Sequence, residues 1–349
     1  MLKIRYVRLA LFTLVMLVFL SNGLISQKVA AQDTTCPTGF SAKDCTLLAA
    51  MALNMGVPQQ FNVNYDLSLK TSGSQKNGNV TLSAKGAGLA STAGITQLTI
   101  PDIMQGMQLA TTMQLAVTGV PNLNVNGQVD LRLVDGTLYF QSAKLNKNQG
   151  WLTVSLSSLM GSLGQSSDLS QFVDAFNPAN AQQLCACITD VLQGKSQAGP
   201  KIDGKSSKQM TVVFDLSAAY AKITNEQEKR LFLTQYLAGL TKSPRAANLD
   251  DPAQLAAALK MIRGTSFQYS WFVTPDDQMY HGFAFKLSIY IDPLFTNAGY
   301  AGSVQSLTQV NAQGTVILSK IGRTVNIPAG TGKIVDITDQ LTQAFSSSR

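Results

Sequence analysis

Hydrophobic residues recur with period two in three long stretches between residues 264 and 328. In the middle stretch, the apolar side chains that share one face are Phe283, Phe285, Leu287, Ile289 and Ile291. The opposite face carries Ala284, Lys286, Ser288 and Tyr290, a mixture that suits water or a thin cover. Alternation with period two predicts antiparallel strands with one apolar face. Such a face needs a cover, and the nature of that cover is the functional question that the pattern raises.

The same alternation predicts strands along most of the chain. They cover residues 61–69, 80–84, 113–117, 129–133, 138–140, 151–155, 210–214, 267–273, 283–291, 314–319 and 323–327. Asp135-Gly136 is a strong signal for a two-residue hairpin turn, and residues 274–278 supply a second turn. The pattern therefore predicts one large, mainly antiparallel sheet.

Helices are predicted where a capping residue precedes apolar residues at helical spacing. The predicted caps are Ser41 with Asp44, Thr224 with Gln227, and Asp251 with Pro252. Further helical segments are predicted over residues 168–194 and 337–345. The helices in the middle of the chain, which carry Leu233 and Leu237 on an apolar stripe, are the candidates to cover the sheet.

Residues 32–349 are predicted to form a single domain. The candidate linkers, residues 194–208 and 240–250, are short. They separate segments that need each other, because strands lie on both sides and helices lie in the middle. A chain of this length can form one large core.

Residues 1–31 have the pattern of a signal peptide. Lys3, Arg5 and Arg8 form a basic leader, an apolar run follows over residues 9–20, and small residues stand before Gln32. We expect cleavage before Gln32, with an uncleaved membrane anchor as the alternative. Both alternatives predict an exported protein, secreted or associated with the cell envelope.

The charge balance predicts that nucleic acid is not a partner. The chain has 27 basic and 20 acidic side chains, and residues 1–31 hold four of the basic ones. The remainder carries 23 basic against 20 acidic groups, a net charge of +3. Basic residues form no stripe interleaved with aromatic residues, which is the usual electrostatic footprint of a phosphate-binding surface.

Four cysteines fit an exported protein with disulfide bonds. They are Cys36, Cys45, Cys185 and Cys187. Two cysteines two residues apart on a helix point in nearly opposite directions, so a bond between Cys185 and Cys187 is unfavourable unless the helix breaks there. This favours bonds from the N-terminal pair to the central pair, and a bond between Cys36 and Cys45 remains the alternative. A metal site is disfavoured because the chain has a single histidine.

Candidate catalytic groups each have a structural explanation. His281 is the only histidine, and no Gly-x-Ser-x-Gly nucleophile elbow accompanies it. Residues 330–333 resemble the end of a phosphate-binding loop but lack its first glycine and its final Ser or Thr. The acidic pairs at residues 250–251 and 276–277 occupy a helix start and a hairpin turn, where Asp is common. The sequence therefore predicts a protein that is not an enzyme and has no cofactor.

The order of these elements resembles the LolA/LolB-like group of exported lipid carriers, and within it the mycobacterial LppX/LprG-type lipoproteins. The resemblance is carried by residues 134–140, 150–152, 274–278 and 325–328, and it spans most of residues 42–328. It implies an α+β fold in which a strongly curved antiparallel sheet forms an unclosed β-barrel. Helices from the middle of the chain would cover the concave face, with an acyl chain between the two layers. The lipoprotein members have an acylated cysteine that this chain lacks, since Asp33-Thr34-Thr35 precedes Cys36.

The functional prediction is a carrier or sensor of lipid or another apolar small molecule. The candidate lining residues are Phe267, Tyr269, Trp271, Phe283, Phe285, Leu287, Ile289, Leu233 and Leu237. The alternative is a structural or protein-interaction module of the cell envelope with a filled core and no ligand. An envelope protein or a membrane surface is a further possible partner.

Overall fold

The computed structural model describes residues 36–54, 59–73, 79–95, 105–120, 123–142, 150–158, 192–241, 248–297 and 307–346. The fold is α+β, with a large curved sheet that is not closed into a barrel. The predicted signal peptide, Cys185, Cys187 and most of the predicted helical segment 168–194 lie outside the described residues. Among the described helices, none combines the length and the apolar character needed to cross a bilayer.

The described strands form one 12-stranded sheet. They are β1 (Gln60–Gly73), β2 (Val80–Ser91), β3 (Gln108–Val120), β4 (Leu123–Val134), β5 (Thr137–Gln141), β6 (Trp151–Ser155), β7 (Leu192–Ile202), β8 (Lys205–Asp215), β9 (Ser266–Thr274), β10 (Met279–Tyr290), β11 (Leu307–Ser319) and β12 (Ile334–Asp336). Their order across the sheet is β12-β6-β5-β4-β3-β2-β1-β11-β10-β9-β8-β7. The pairing of β12 with β6 is parallel, and the other pairings are antiparallel.

Strand register places the predicted apolar positions on one continuous face, because directly paired residues share a face. One row across the sheet runs through Met210, Trp271, Phe283, Val316 and Tyr65. The predicted period-two pattern of the terminal strands is thus confirmed. On β4–β6, the same face is buried in a core that includes Leu131, Leu138, Phe140 and Val154.

The sheet curls strongly at its β7 end. Strand β7 contacts β11, although β10, β9 and β8 lie between them in the sheet. At this contact, the backbone N–H of Lys320 donates to the carboxylate of Asp203 at 2.6 Å. The predicted curved, unclosed sheet is confirmed.

The described helices are α1 (Ala42–Asn54), α2 (Leu216–Lys222), α3 (Glu226–Thr241), α4 (Pro252–Arg263), α5 (Pro293–Asn297) and α6 (Thr338–Ser346). The capping box of α1 is confirmed, since the Asp44 N–H donates to Ser41 Oγ at 3.2 Å and the Ser41 N–H donates back to Asp44 at 3.0 Å. Asp251 caps α4 as predicted. For α3, the capping side chain is that of Asn225 and not of Thr224, because Asn225 Oδ1 accepts from Gln227 N–H at 2.8 Å.

Two predictions in the middle of the chain are wrong. Residues 194–208 are not a linker but part of the β7–β8 hairpin, and residues 192–194, predicted as the end of a helix, belong to β7. Asp203 and Gly204 form the turn with positive φ angles of 51° and 80°. An Asp-Gly pair is the preferred sequence for such a turn, so the signal was present. This turn signal is hard to recognise in the sequence because the strand before it, β7, carries polar and small residues instead of alternating apolar ones.

The predicted strand at residues 323–327 is also wrong. Val325 donates its N–H to the side chain of Gln60 at 2.6 Å instead of pairing with a neighbouring strand. The short strand in this region is β12, which pairs in parallel with β6. The segment between β11 and β12 is held by Arg132, which donates to the carbonyl groups of Pro328 and Ala329 at 3.1 and 2.9 Å.

The disulfide bond in the structure joins Cys36 to Cys45. The favoured bond from the N-terminal pair to the central pair is therefore wrong, and the alternative is correct. Geometry explains the outcome, since the first turn of α1 brings Cys45 back beside the incoming chain, with a Cα–Cα distance of 5.8 Å.

Candidate functional site

Five of the predicted lining residues form one aromatic cluster on the apolar face of β9 and β10. The Tyr269 ring stacks on Phe283, with centroids 5.6 Å apart, and forms a T-shaped pair with Trp271, with centroids 5.0 Å apart. Phe267 and Phe285 extend the cluster at 6.3 Å from Tyr269 and Phe283, respectively. Pairing across the two strands brings these rings together, as alternation on each strand predicts.

Burial along the apolar stripe from Phe283 to Ile291 is high at its two ends and lower in the middle. Phe283 is 3% exposed and Ile291 is 8% exposed. Phe285, Leu287 and Ile289, which lie between them, are only partly buried. The middle of the stripe is therefore more exposed to solvent than its two ends.

Two separate hydrophobic clusters cover the two ends. One joins α1 to β8–β10 through Met51, Met210, Val273, Trp271 and Tyr280. The other is formed by α2, α3 and α4, and Ile289 and Ile291 pack against it or within it. The partly buried stretch at Phe285 and Leu287 lies between these clusters.

Leu233 and Leu237 do not join the aromatic cluster. They are 0% and 3% exposed and lie inside the helical cluster, together with Ala258, Met261 and Ile262. Helical spacing correctly indicated that they are buried, but it cannot tell whether a stripe meets the sheet or the neighbouring helices.

A glycine lies beneath the middle of the stripe. Gly314 of β11 pairs with Phe285 on one side and with Leu67 on the other. A Cβ atom at Gly314 would lie 2.5 Å from Leu67 Cδ2 and 2.6 Å from Phe285 Cε1. Both side chains thus lean over the glycine, and any larger residue would displace the Phe285 ring.

Tyr280 belongs to the apolar face, although strict alternation from Phe283 would place it on the other face. An irregularity between Tyr280 and Phe283 shifts the register, and Gly282 takes a φ of 116° there. Tyr280 consequently pairs with Val273 on the apolar face. Tyr280 is therefore absent from the predicted lining residues, although the isolated Gly282 within a strand signals a bulge.

Tyr269 brings a polar group into this apolar cluster. The residue is 7% exposed, and within the described chain its buried hydroxyl group has no hydrogen-bond partner. Burial raises the pKa of Tyr269, and the nearby hydroxyl of Tyr280 has a smaller, opposite effect. The Tyr269 hydroxyl thus lies beside the hydroxyl of Tyr280 but makes no hydrogen bond of standard geometry within the described chain.

Asp44 fastens α1 to the β7–β8 hairpin. Its side chain is 4% exposed and forms an ion pair with Lys208, and Ser196 Oγ donates to it at 3.1 Å. Burial alone would raise the pKa of Asp44, but the bonds from Lys208, Ser41 and Ser196 outweigh it and hold the pKa well below its usual range. The cluster at the α1 end of the site is thus anchored by a buried carboxylate.

The polar groups considered for catalysis have structural partners, except that the buried Nε2 of His281 makes no hydrogen bond to a described residue and lies 3.8 Å from Asp277 Oδ1. His281 is buried, and its Nδ1 lies 3.1 Å from the carbonyl oxygen of Leu318. Asp277 accepts from Thr274 and from the Met279 N–H within the β9–β10 turn. Asp250 pairs with Arg230, and Asp251 is the cap of α4.

The segment 330–333 that resembles a phosphate-binding loop is packed on an aromatic side chain. A Cβ atom at Gly330 would lie 2.8 Å from Trp151 and 2.9 Å from Tyr139. The Arg132 guanidinium lies over the same Trp151 ring at 4.8 Å. This glycine therefore serves close packing on the sheet.

No protein-family model and no curated protein matches the chain. A DUF1329 family protein from Desulfovibrio piger is 12% identical, with 81% of this chain and 92% of that chain covered and a TM-score of 0.18. A β-barrel-like protein of domain of unknown function DUF1849 from Brucella abortus is 10% identical, with 77% and 99% covered and a TM-score of 0.13. Likeness at this level carries no argument, so the resemblance to the LolA/LolB-like group stays a prediction.

Proposed function

We propose that this protein is a non-catalytic, exported carrier or sensor that binds lipid or another apolar molecule on the apolar face of the sheet. The observation that carries the proposal is the partly buried stretch of β10 between two packed clusters. Phe285 and Leu287 are apolar and lie in the interior of a 12-stranded sheet, yet they are not fully covered by the protein's own side chains.

The energy of such binding needs no catalytic or charged group. Burial of one CH₂ contributes about 0.8 kcal/mol, so a long acyl chain gains on the order of 10 kcal/mol before ordering costs are subtracted. Within the aromatic cluster, Phe267, Trp271 and Phe285 are only partly buried and supply flat apolar surfaces for contact. Shape and apolar area are therefore sufficient for affinity.

The test compares two adjacent residues of β10 that face opposite ways. Leu287 lies on the apolar face, and Lys286 is exposed on the other face. Leu287→Glu is expected to weaken the binding of a fluorescent fatty-acid probe by more than about 10-fold, because a carboxylate would be desolvated by the ligand. Lys286→Glu changes the net charge more than Leu287→Glu does, but it is expected to leave probe binding unchanged.

Leu287→Ala serves as a milder variant if Leu287→Glu fails to fold. It removes part of the contact area and is expected to weaken binding by a few-fold, roughly in proportion to the lost methylene groups. Equal effects of the Leu287 and Lys286 variants would contradict the proposed site. Absence of probe binding to the wild-type protein would favour the structural or interaction module instead.

A further inference from the structure

The unpaired hydroxyl of Tyr269 indicates which chemical group a ligand would present to it. Buried polar groups in proteins nearly always have a hydrogen-bond partner, and each exception calls for an explanation. Within the described chain, Tyr269 is such an exception, and it lies in the centre of the aromatic cluster of the proposed site. A ligand that binds there would meet a hydrogen-bond donor among apolar rings.

The neighbours of Tyr269 within the sheet disfavour a charged ligand group at this point. Its neighbours on the same face are Val212 and Phe285 across the sheet and Phe267 and Trp271 along its own strand. None of the four carries a positive charge that could pair with a carboxylate or a phosphate, and the nearby hydroxyl of Tyr280 is also uncharged. Burial of an unpaired anion costs far more than one hydrogen bond returns.

We propose that Tyr269 donates a hydrogen bond to an uncharged acceptor of the ligand, such as the carbonyl oxygen of an ester. This inference rests on the proposed function and assigns its ligand class, a neutral lipid ester in preference to a free fatty acid. The raised pKa of the tyrosine agrees with this role, since the phenol keeps its proton and remains a donor.

The experiment uses three fluorescent probes with the intact protein. Diphenylhexatriene is a hydrocarbon without an acceptor, methyl parinarate has a neutral ester, and parinaric acid at pH 8 has a carboxylate. Wild-type protein is expected to bind the ester more tightly than the acid. Tyr269→Phe is expected to weaken binding of the ester by about 3- to 10-fold, the factor that one neutral hydrogen bond contributes. Binding of diphenylhexatriene should not change.

Tyr236→Phe is the matched control, because it removes the same atom from a tyrosine outside the site. The Tyr236 hydroxyl is hydrogen-bonded to Thr265 Oγ1 at 2.7 Å, so its removal is expected to lower the thermal midpoint without changing probe selectivity. Tyr269→Phe removes an unpaired group and is expected not to lower the midpoint.

The outcomes separate this inference from the proposed function. If diphenylhexatriene binds but Tyr269→Phe leaves methyl parinarate unchanged, or weakens both probes equally, the inference is overturned and the apolar site stands. Tighter binding of parinaric acid than of its methyl ester would overturn it without any variant. Failure of all three probes to bind the wild-type protein would remove the inference and the proposed function together.

Discussion

The buried carboxylate of Asp44 is expected to stabilise the protein strongly, and Asp44→Asn tests this. The substitution keeps the shape of the side chain and removes the charge that pairs with Lys208. A hydrogen bond to a charged group contributes about 1.5–3 kcal/mol, and breaking a buried ion pair costs about 3–5 kcal/mol. Lys208 is 32% exposed and can be rehydrated, whereas Asp44 is 4% exposed. We therefore expect a loss of about 2–3 kcal/mol in the free energy of unfolding.

The pH dependence of this effect has a definite sign. The pKa of Asp44 is lower in the folded protein than in the unfolded chain, where it is about 3.9. The stabilisation is therefore fully present above about pH 5 and is lost as the pH falls towards the folded-state pKa. The difference between wild-type and variant protein should be constant from neutral pH to about pH 5 and should shrink below about pH 4.

The assay is urea unfolding followed by tryptophan fluorescence, because Trp271 packs in the cluster that α1 covers. Asp66→Asn is the control, since Asp66 and its partner Lys85 are 62% and 76% exposed and lie 3.4 Å apart. An exposed pair of this kind is expected to contribute less than about 1 kcal/mol. A loss for Asp44→Asn no larger than that for Asp66→Asn would refute the argument.

Two further changes probe the fold. Asp277→Asn removes a carboxylate that accepts hydrogen bonds from Thr274, Lys205 and the Met279 N–H. Burial raises the pKa of Asp277, but these hydrogen bonds outweigh burial and lower the pKa to about 2. The substitution should lower the free energy of unfolding by about 1–2 kcal/mol at pH 7 and by progressively less between about pH 4 and pH 2. A loss of stability that does not depend on pH would contradict this expectation. Replacing Cys36 and Cys45 by Ser opens a loop with a sequence separation of 9. The expected loss is about 3 kcal/mol, and non-reducing peptide mapping that links either cysteine elsewhere would contradict the pairing.

The strands of the apolar face were predictable because their pattern is purely local. Side chains such as Phe283, Phe285 and Leu287 alternate with polar or small residues, and pairing only had to bring equivalent faces together. The β7–β8 hairpin was not predicted because Gly194 and its neighbours are polar or small, so the strand has no apolar stripe. Its stability comes from pairing with β8 and from the turn at Asp203, which are not visible in an alternation pattern.

The composition of the site could be predicted only in part. The five clustered aromatic residues follow from alternation, whereas Tyr280 depends on a one-residue bulge at Gly282 that reverses its face. Leu233 and Leu237 lie on a predicted apolar stripe, but that stripe is buried in the helical cluster, which meets the sheet at Ile289 and Ile291 and not at the aromatic cluster. Which surfaces meet is decided by tertiary packing over long sequence distances, which periodicity does not report.

Native mass spectrometry of the protein purified without detergent tests the central claim most directly. Wild-type protein is expected to carry an additional mass that dissociates on activation and is identified as a neutral apolar lipid, and Leu287→Glu is expected to lack it. The Lys286→Glu variant should carry the same additional mass as the wild-type protein. Wild-type protein that has only the mass of its polypeptide, and that takes up no apolar probe afterwards, would contradict the account.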